Sequence, residues 1–274
     1  MSNIIEIFSY DFMLKDLIVG TIISLCASLV GVSLVLRRNS MIGDGLSHVA
    51  FGAFSIATVL NLAPLEFSLP VVMITSFLIL KLNQNKKVHG DSAIALLSAS
   101  SLAIGTFIIS ITDGVNTDIN NYLFGSILSI DNKDVIISIF LSIIIISLYI
   151  FSYNKIFAIT FDENFAKVVG IKTEIYNIIF AGLCSIVVVL GMRLMGSLLI
   201  SSLIIFPTLS SMQIVKKFKS VVLVSTGISI ISFIIGLILS YYLEAPTGAT
   251  IVIANLVVYI LFKIISFIRK NYKY

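Results

Sequence analysis

The stretch Val135-Ile136-Ile137-Ser138-Ile139-Phe140-Leu141-Ser142-Ile143-Ile144-Ile145-Ile146-Ser147-Leu148-Tyr149-Ile150-Phe151-Ser152-Tyr153-Asn154 runs for twenty residues without a charged side chain. Roughly 20 predominantly apolar residues in a helix cross the hydrocarbon core of a bilayer. The run is continuously apolar, whereas the strands of a membrane barrel alternate apolar and polar positions over about ten residues. It is therefore read as a transmembrane helix at about 134–154. Working outward, comparable runs at about 12–36, 42–61, 66–83, 92–112, 175–192, 196–214, 219–242 and 247–268 predict the rest of an all-α polytopic membrane protein with about nine spans. Reading 175–214 as one segment gives eight, but puts Lys216 on the side opposite the other basic clusters.

Composition agrees. The chain has 274 residues, 58% hydrophobic and 12% charged, with mean hydropathy +1.10. Soluble domains carry about 45–50% apolar and about 25% charged residues. There is too little polar surface for a soluble enzyme, a disordered chain or a nucleic-acid binder. The length is consumed by the spans, so residues 1–274 read as a single transmembrane domain without a separate nucleotide-binding one. The first ten residues carry Glu6 and no Lys or Arg, so the run Leu14 to Leu36 is expected to be a retained helix and not a cleaved signal. Cys26 and Cys184 lie inside apolar runs and read as small buried hydrophobes.

With nine spans, 15 of the 18 Lys and Arg residues fall on one side: those after the first and third helices, between the fifth and sixth, between the seventh and eighth, and at the C-terminus. Excess basic charge marks the cytoplasmic side. The N-terminus is then outside and the C-terminus inside. Lys15, Lys133 and Arg193 fall on the other side, and Arg193, in the tight hairpin Gly191 to Gly196, fits this topology least well. In the outer connection 113–133, Tyr122 to Ile130 is apolar but too short to span, which suits a re-entrant or interfacial helix.

The chemistry concentrates in Gly43-Asp44-Gly45-Leu46-Ser47-His48. Asp44 and His48, spaced i and i+4, share one face of a helix. Ionisable residues in a membrane segment are costly and mark pathways or partner surfaces. Carboxylate plus imidazole is a donor pair for a divalent first-row metal. The spacing alone also fits an N-terminal cap at Asp44, or a hydrogen bond between the two side chains. Two ligands do not complete a metal site, which needs about four. A homodimer with this helix at its axis would supply two Asp and two His, and two carboxylates balance a divalent charge. His89, in a basic loop beside Gly90 and Asp91, reads as solvated. No phosphate-binding glycine loop, His-Glu-x-x-His motif or Ser/His/Asp arrangement is present in the sequence.

In residues 160–172, Phe161, Phe165 and Val168 form one helical stripe. Thr160 or Asp162 caps its start, and Gly170 ends it in a left-handed conformation. The result is a short amphipathic helix, resting on headgroups or docking a cytoplasmic partner. Further on, Pro246 suits the first turn of the last helix, and Glu244 reads as a loop residue or a cation attractor at the outer mouth.

These stretches resemble the membrane permeases of the ABC-type manganese, zinc and iron importers, the ABC-3 family. The resemblance rests on Gly43 to His48, on Asp162-Glu163-Asn164-Phe165-Ala166-Lys167-Val168-Val169-Gly170-Ile171, on Gly196 to Pro207 and on Pro246-Thr247-Gly248-Ala249-Thr250-Ile251, in order over nearly the whole chain. Tyr122 to Leu128 also looks familial. Gly45, Glu244 and the Ser210-Ser211 pair depart from the usual pattern. The resemblance implies a vitamin-B12-importer-like permease fold and a homodimer in the bacterial plasma membrane. It implies a cytoplasmic ATP-binding subunit that hydrolyses ATP and an extracytoplasmic metal-binding lipoprotein. It makes Asp44 and His48 the transit site for manganese, zinc or iron. It makes Asp162, Glu163, Phe165, Ala166 and Gly170 part of an ATPase-coupling helix. No permanently bound cofactor, enzymatic activity or nucleic-acid partner is implied. The rival readings are a gradient-driven metal carrier or channel, a permease for a larger chelate such as a siderophore, and a membrane-embedded enzyme, the last lacking a catalytic constellation.

Overall fold

The computed structural model describes residues 11–84, 90–112 and 132–271. The 122–130 segment and His89 lie outside these. The described chain is all helical: α1 (Asp11–Leu36), α2 (Met41–Val59), α3 (Pro64–Gln84), α4 (Gly90–Ile111), α5 (Asn132–Phe161), α6 (Glu163–Val168), α7 (Thr173–Met195), α8 (Ser197–Met212), α9 (Phe218–Leu243) and α10 (Thr247–Asn271). Among the described residues, eight helices are long and apolar enough to cross a membrane. The predicted span at 196–214 is present as a helix but is not among these eight. With 16 residues, α8 rises about 24 Å, less than the roughly 30 Å of a hydrocarbon core. It spends its length inside the bundle, packed on α1, α2, α7, α9 and α10.

The 175–214 region is two helices and not one. Gly196, at φ 86° and ψ 161°, separates α7 from α8. The chain folds back there so tightly that a Cβ on Gly191 would lie 2.4 Å from Ile200 Cδ1. Arg193 is accommodated beside this bend. Its guanidinium donates to Asp134 Oδ2 on α5 at 3.0 Å and forms an ion pair with Oδ1 at 2.9 Å. Asp134 is only 7% exposed, so each charge relieves the cost of burying the other.

Small residues set the helix spacing. A Cβ on Gly31 of α1 would lie 2.1 Å from the Ile204 carbonyl oxygen of α8. One on Gly52 of α2 would lie 2.8 Å from the Ser101 carbonyl oxygen of α4. Close backbone approach of this kind is how apolar helices associate when lipid removes the hydrophobic drive. Hydroxyls add cross-helix bonds: Ser229 donates to the Ser24 carbonyl, Ser28 to Thr226, and Thr208 pairs with Ser225. Cys26 and Cys184 are both buried and free.

Helix ends close locally. After α1, Asn39 N–H bonds Leu34 C=O and Arg38 N–H bonds Val35 C=O, with Arg38 left-handed at φ 58°. The same pair of reverse bonds ends α2 at Asn61 and α6 at Gly170. Glu244 is likewise left-handed, at φ 49°, where it closes α9. Pro246 stands just before α10 and not in its first turn, its carbonyl accepting from Thr250 N–H.

The fifth helix is longer than predicted. It continues past 154 to Phe161, making 30 residues, so Thr160 and Phe161 close α5 and do not open the next helix. Phe218 at the start of α9 holds this extension through ring contacts with Tyr153, Phe157 and Phe161. Asp162 then breaks the chain at φ −153° and ψ 103° and caps α6, its Oδ1 accepting from Phe165 N–H at 2.9 Å. The predicted Phe161–Phe165–Val168 stripe is thus divided between two helices.

Gly170 carries φ 87°, and a Cβ placed there would meet no atom within 4 Å. The cost of a side chain is therefore conformational alone, about 1–2 kcal/mol for a left-handed L-residue. Gly170→Ala is expected to destabilise by that amount, lowering the thermal midpoint without a packing defect. A midpoint equal to the parent's would contradict the assignment of a closing left-handed turn.

Candidate metal transit site

Asp44 lies one turn into α2 and His48 one turn further. As expected from their spacing, they share a face. His48 Nε2 stands 3.8 Å from Asp44 Oδ2, with side chains 23% and 41% exposed respectively. That separation is too long for a hydrogen bond. It fits two donors of one cation: ligands each about 2.1 Å from a metal lie at most about 4.2 Å apart. Ser40, not Asp44, holds the position before α2, and it makes no side-chain cap. Asp44 is thus neither the cap residue nor hydrogen-bonded to His48, although it lies in the first turn of α2, where the helix dipole favours a carboxylate.

The carboxylate is held by its other oxygen. Ser201 on α8 donates to Asp44 Oδ1 at 3.0 Å and shares its proton with the Ser197 carbonyl at 3.1 Å. Ser47 donates to the Asp44 carbonyl. Oδ1 is thus fixed while Oδ2 faces the imidazole. His48 Nδ1 is buried without a hydrogen-bond partner in the structure, leaving Nε2 as the nitrogen on the Asp44 side.

The pair opens into a cavity of about 270 Å³ between α2 and α4, lined also by Met41, Asp91, Ile94, Ser98 and Leu102. Gly45 makes this approach possible, since a Cβ there would lie 2.5 Å from Ile94 Cγ2. The departure from the family pattern at Gly45 thus has a packing role. Asp91, Ser98 and Ser201 were not legible as site residues. Asp91 stands beside a basic loop with no spacing that ties it to Asp44 or His48, and the two serines sit in apolar runs like many others. Among the described residues no group of three or more His, Cys, Asp and Glu stands close enough to hold a metal ion. One chain therefore offers a carboxylate–imidazole pair and not a closed cage.

The second predicted region lies on α6. Glu163 pairs with Lys167 at 3.2 Å and accepts from Asn177 Nδ2 at 3.4 Å. Ala166 is fully buried, whereas Phe165 is 62% and Val168 85% exposed. Phe161 and Val169 are exposed beside them. Four large apolar side chains thus face outward around a capped, well-anchored turn. Such exposed apolar clusters mark interaction surfaces. Asp162, Glu163, Phe165, Ala166 and Gly170 are all brought to this turn, and none approaches Asp44.

Comparison with known proteins agrees with this architecture. The pattern that defines the ABC 3 transport family matches residues 9–266. The manganese import system permease protein ScaB of Streptococcus gordonii is 26% identical, over 92% of this chain and 90% of its own. The high-affinity zinc uptake system membrane protein ZnuB of Haemophilus influenzae is 27% identical, over 92% of this chain and 97% of its own. The structure of PsaBC from Streptococcus pneumoniae in complex with Fab has the same fold, with a TM-score of 0.83 at 24% identity over 93% of this chain and 92% of that one. A match across almost the entire length, on a multi-pass helical bundle, makes this chain a member of the ABC 3 transport family.

Proposed function

We propose that this chain is the membrane permease of an ATP-driven importer of a divalent transition metal ion, manganese, zinc or iron. The observation that carries the reading is the Asp44–His48 pair, 3.8 Å apart and facing a cavity. The similarity to ScaB and ZnuB, which their names tie to manganese and zinc, supports it. Two copies of the chain complete the ligand set across a two-fold axis, each giving one carboxylate and one imidazole. The two carboxylates neutralise the cation while it passes. Such a site binds modestly, because a transport site must also release its ion.

The basic end of the bundle faces the cytoplasm; the N-terminus lies outside and the C-terminus inside, an arrangement that requires the short α8 to complete a ninth crossing between α7 and α9. An ATP-binding subunit docks there on the apolar side chains around α6, with Asp162, Glu163, Phe165, Ala166 and Gly170 as the coupling turn. A metal-binding lipoprotein delivers the ion at the outer mouth.

The test is metal uptake in bacteria lacking their own importer, with the chain co-expressed with its ATPase and lipoprotein partners. Cell-associated manganese, zinc and iron are counted with an active and an ATPase-dead partner. The expected result is an ATPase-dependent rise of one metal. A rise indifferent to the ATPase mutation would replace this reading by a gradient-driven carrier. No rise of any of the three from a confirmed assembly would point to a larger ligand.

A further inference from the structure

The α6 turn and the metal pair lie on separate elements, yet one unbroken polar chain leads from the first toward the second. Glu163 on α6 accepts from Asn177 Nδ2 at 3.4 Å. Asn177 Oδ1 on α7 accepts from Arg37 Nη1 at 3.1 Å. Arg37 Nε reaches Thr160 Oγ1, at the end of α5, at 3.4 Å. The guanidinium also lies over the Phe180 ring, 4.8 Å from its centre. Asn177 and Thr160 are 6% and 7% exposed. The amide of Asn177 is used at both ends, donating to one neighbour and accepting from the other.

Arg37 immediately follows α1, four residues before α2 begins at Met41. The intervening turn is over-determined by backbone bonds: Arg37 N–H to Ser33, Arg38 N–H to Val35, Asn39 N–H to Leu34 and Ile42 N–H to Asn39. Arg38 is held left-handed within it. Three of these bonds tie the turn to the last turn of α1 and the fourth ties it to α2, so the turn couples the two helix ends. Displacing the Arg37 head group therefore shifts the start of α2, where Asp44 sits.

We infer that Arg37, Asn177 and Glu163 form a relay through which movement of the α6 turn repositions Asp44 and His48. The three are positioning residues, and the inference rests on the importer reading above. Four helices converge on the relay, so it senses α6 relative to α5 and α7 and not α6 alone. Asn177 and Thr160 are buried while Arg37 and Glu163 are half-buried, and a chain in which every polar member is bonded is more rigid than one with a broken member.

The test uses the assembled importer in liposomes, with manganese(II) as the probe, and reads manganese moved per ATP hydrolysed. Asn177→Asp keeps the acceptor for Arg37 but cannot donate to Glu163, and it sets two carboxylates together. It is expected to hydrolyse ATP while moving roughly fivefold less manganese per ATP, the scale of coupling changes along such networks. Adding Glu163→Gln reverses the donor and acceptor, since the new amide donates to the new carboxylate, and is expected to restore most of the ratio. A merely structural role would not produce that recovery. Arg37→Lys keeps the charge but cannot hold Asn177 and Thr160 together, and is expected to show the same loss should Asn177→Asp not assemble.

An unchanged ratio in Asn177→Asp, or in Arg37→Lys in its place, would overturn the relay. So would an equal loss in the double variant. These outcomes presuppose a parent protein that moves manganese at the expense of ATP. A parent that hydrolyses ATP and moves none of manganese(II), zinc(II) and iron(II) would instead overturn the importer reading, and the relay with it; where it moves zinc or iron and not manganese, that ion is the probe.

Discussion

Asp44→Ala is expected to abolish metal uptake, by about 100-fold or more, while leaving the bundle intact. The scale follows from metal sites in which loss of a residue supporting the ligands already costs about 10–100-fold. Loss of a ligand that also supplies the balancing charge costs more. In the proposed dimer both carboxylates disappear at once, leaving two imidazoles and no balancing negative charge facing a divalent ion. The structural cost is small. The side chain is 41% exposed and its hydrogen bond comes from Ser201, a bond to a charged group worth at most about 1.5–3 kcal/mol. Asp44→Asn separates the two roles. It retains an oxygen to accept from Ser201 but loses the charge, so it is expected to fail in uptake as badly as alanine. The measurements are cellular metal content and co-purification of the ATPase partner. Normal uptake by an inserted, ATPase-bound Asp44→Ala variant would sink the site assignment.

Gly31→Val is expected to be the most damaging substitution to the fold. Already the first carbon of a side chain would lie 2.1 Å from the Ile204 carbonyl oxygen and 2.9 Å from its carbon. These are backbone atoms within α8 and cannot rotate away. The helices must part, and overpacking of this kind costs about 1–3 kcal/mol, occasionally more. The damage also reaches the site. Ile204 packs its Cδ1 on Gly43, and Ser201, one turn earlier on α8, holds the Asp44 carboxylate. Moving α8 off α1 thus moves the serine off the aspartate. The thermal midpoint of purified Gly31→Val should fall by about 5 °C or more. Gly227→Ala is the control, since a Cβ there meets nothing within 4 Å. It is expected to be neutral or to stabilise by up to about 1 kcal/mol through helix propensity. Equal midpoints for the two variants would refute the close α1–α8 contact.

Asp44 and His48 were legible because a helix places i and i+4 on one face whatever surrounds it. Gly170 was legible as a left-handed stop because a helix end needs one within a residue or two. The apolar runs were legible because lipid tolerates no unpaired backbone, which forces each run into a helix of about the bilayer's thickness. The boundary at Phe161 was not. Lys155 and Asn154 read as the end of a span, yet α5 continues because Phe218, far along the chain, covers its last turns.

Local pattern therefore determined the all-helical membrane fold, the order of its spans, the Asp44–His48 face and the amphipathic turn after Asp162. The tertiary structure alone decided that α8 is short and interior, that Arg193 is neutralised by Asp134, that Ser201 fixes Asp44, and that Arg37 meets Asn177. The last two pairs are 157 and 140 residues apart in sequence. Helix periodicity carries information over a few residues. Which serine among many faces a carboxylate depends on how α2 and α8 pack, and that is settled by where glycines such as Gly31 and Gly45 let backbones approach.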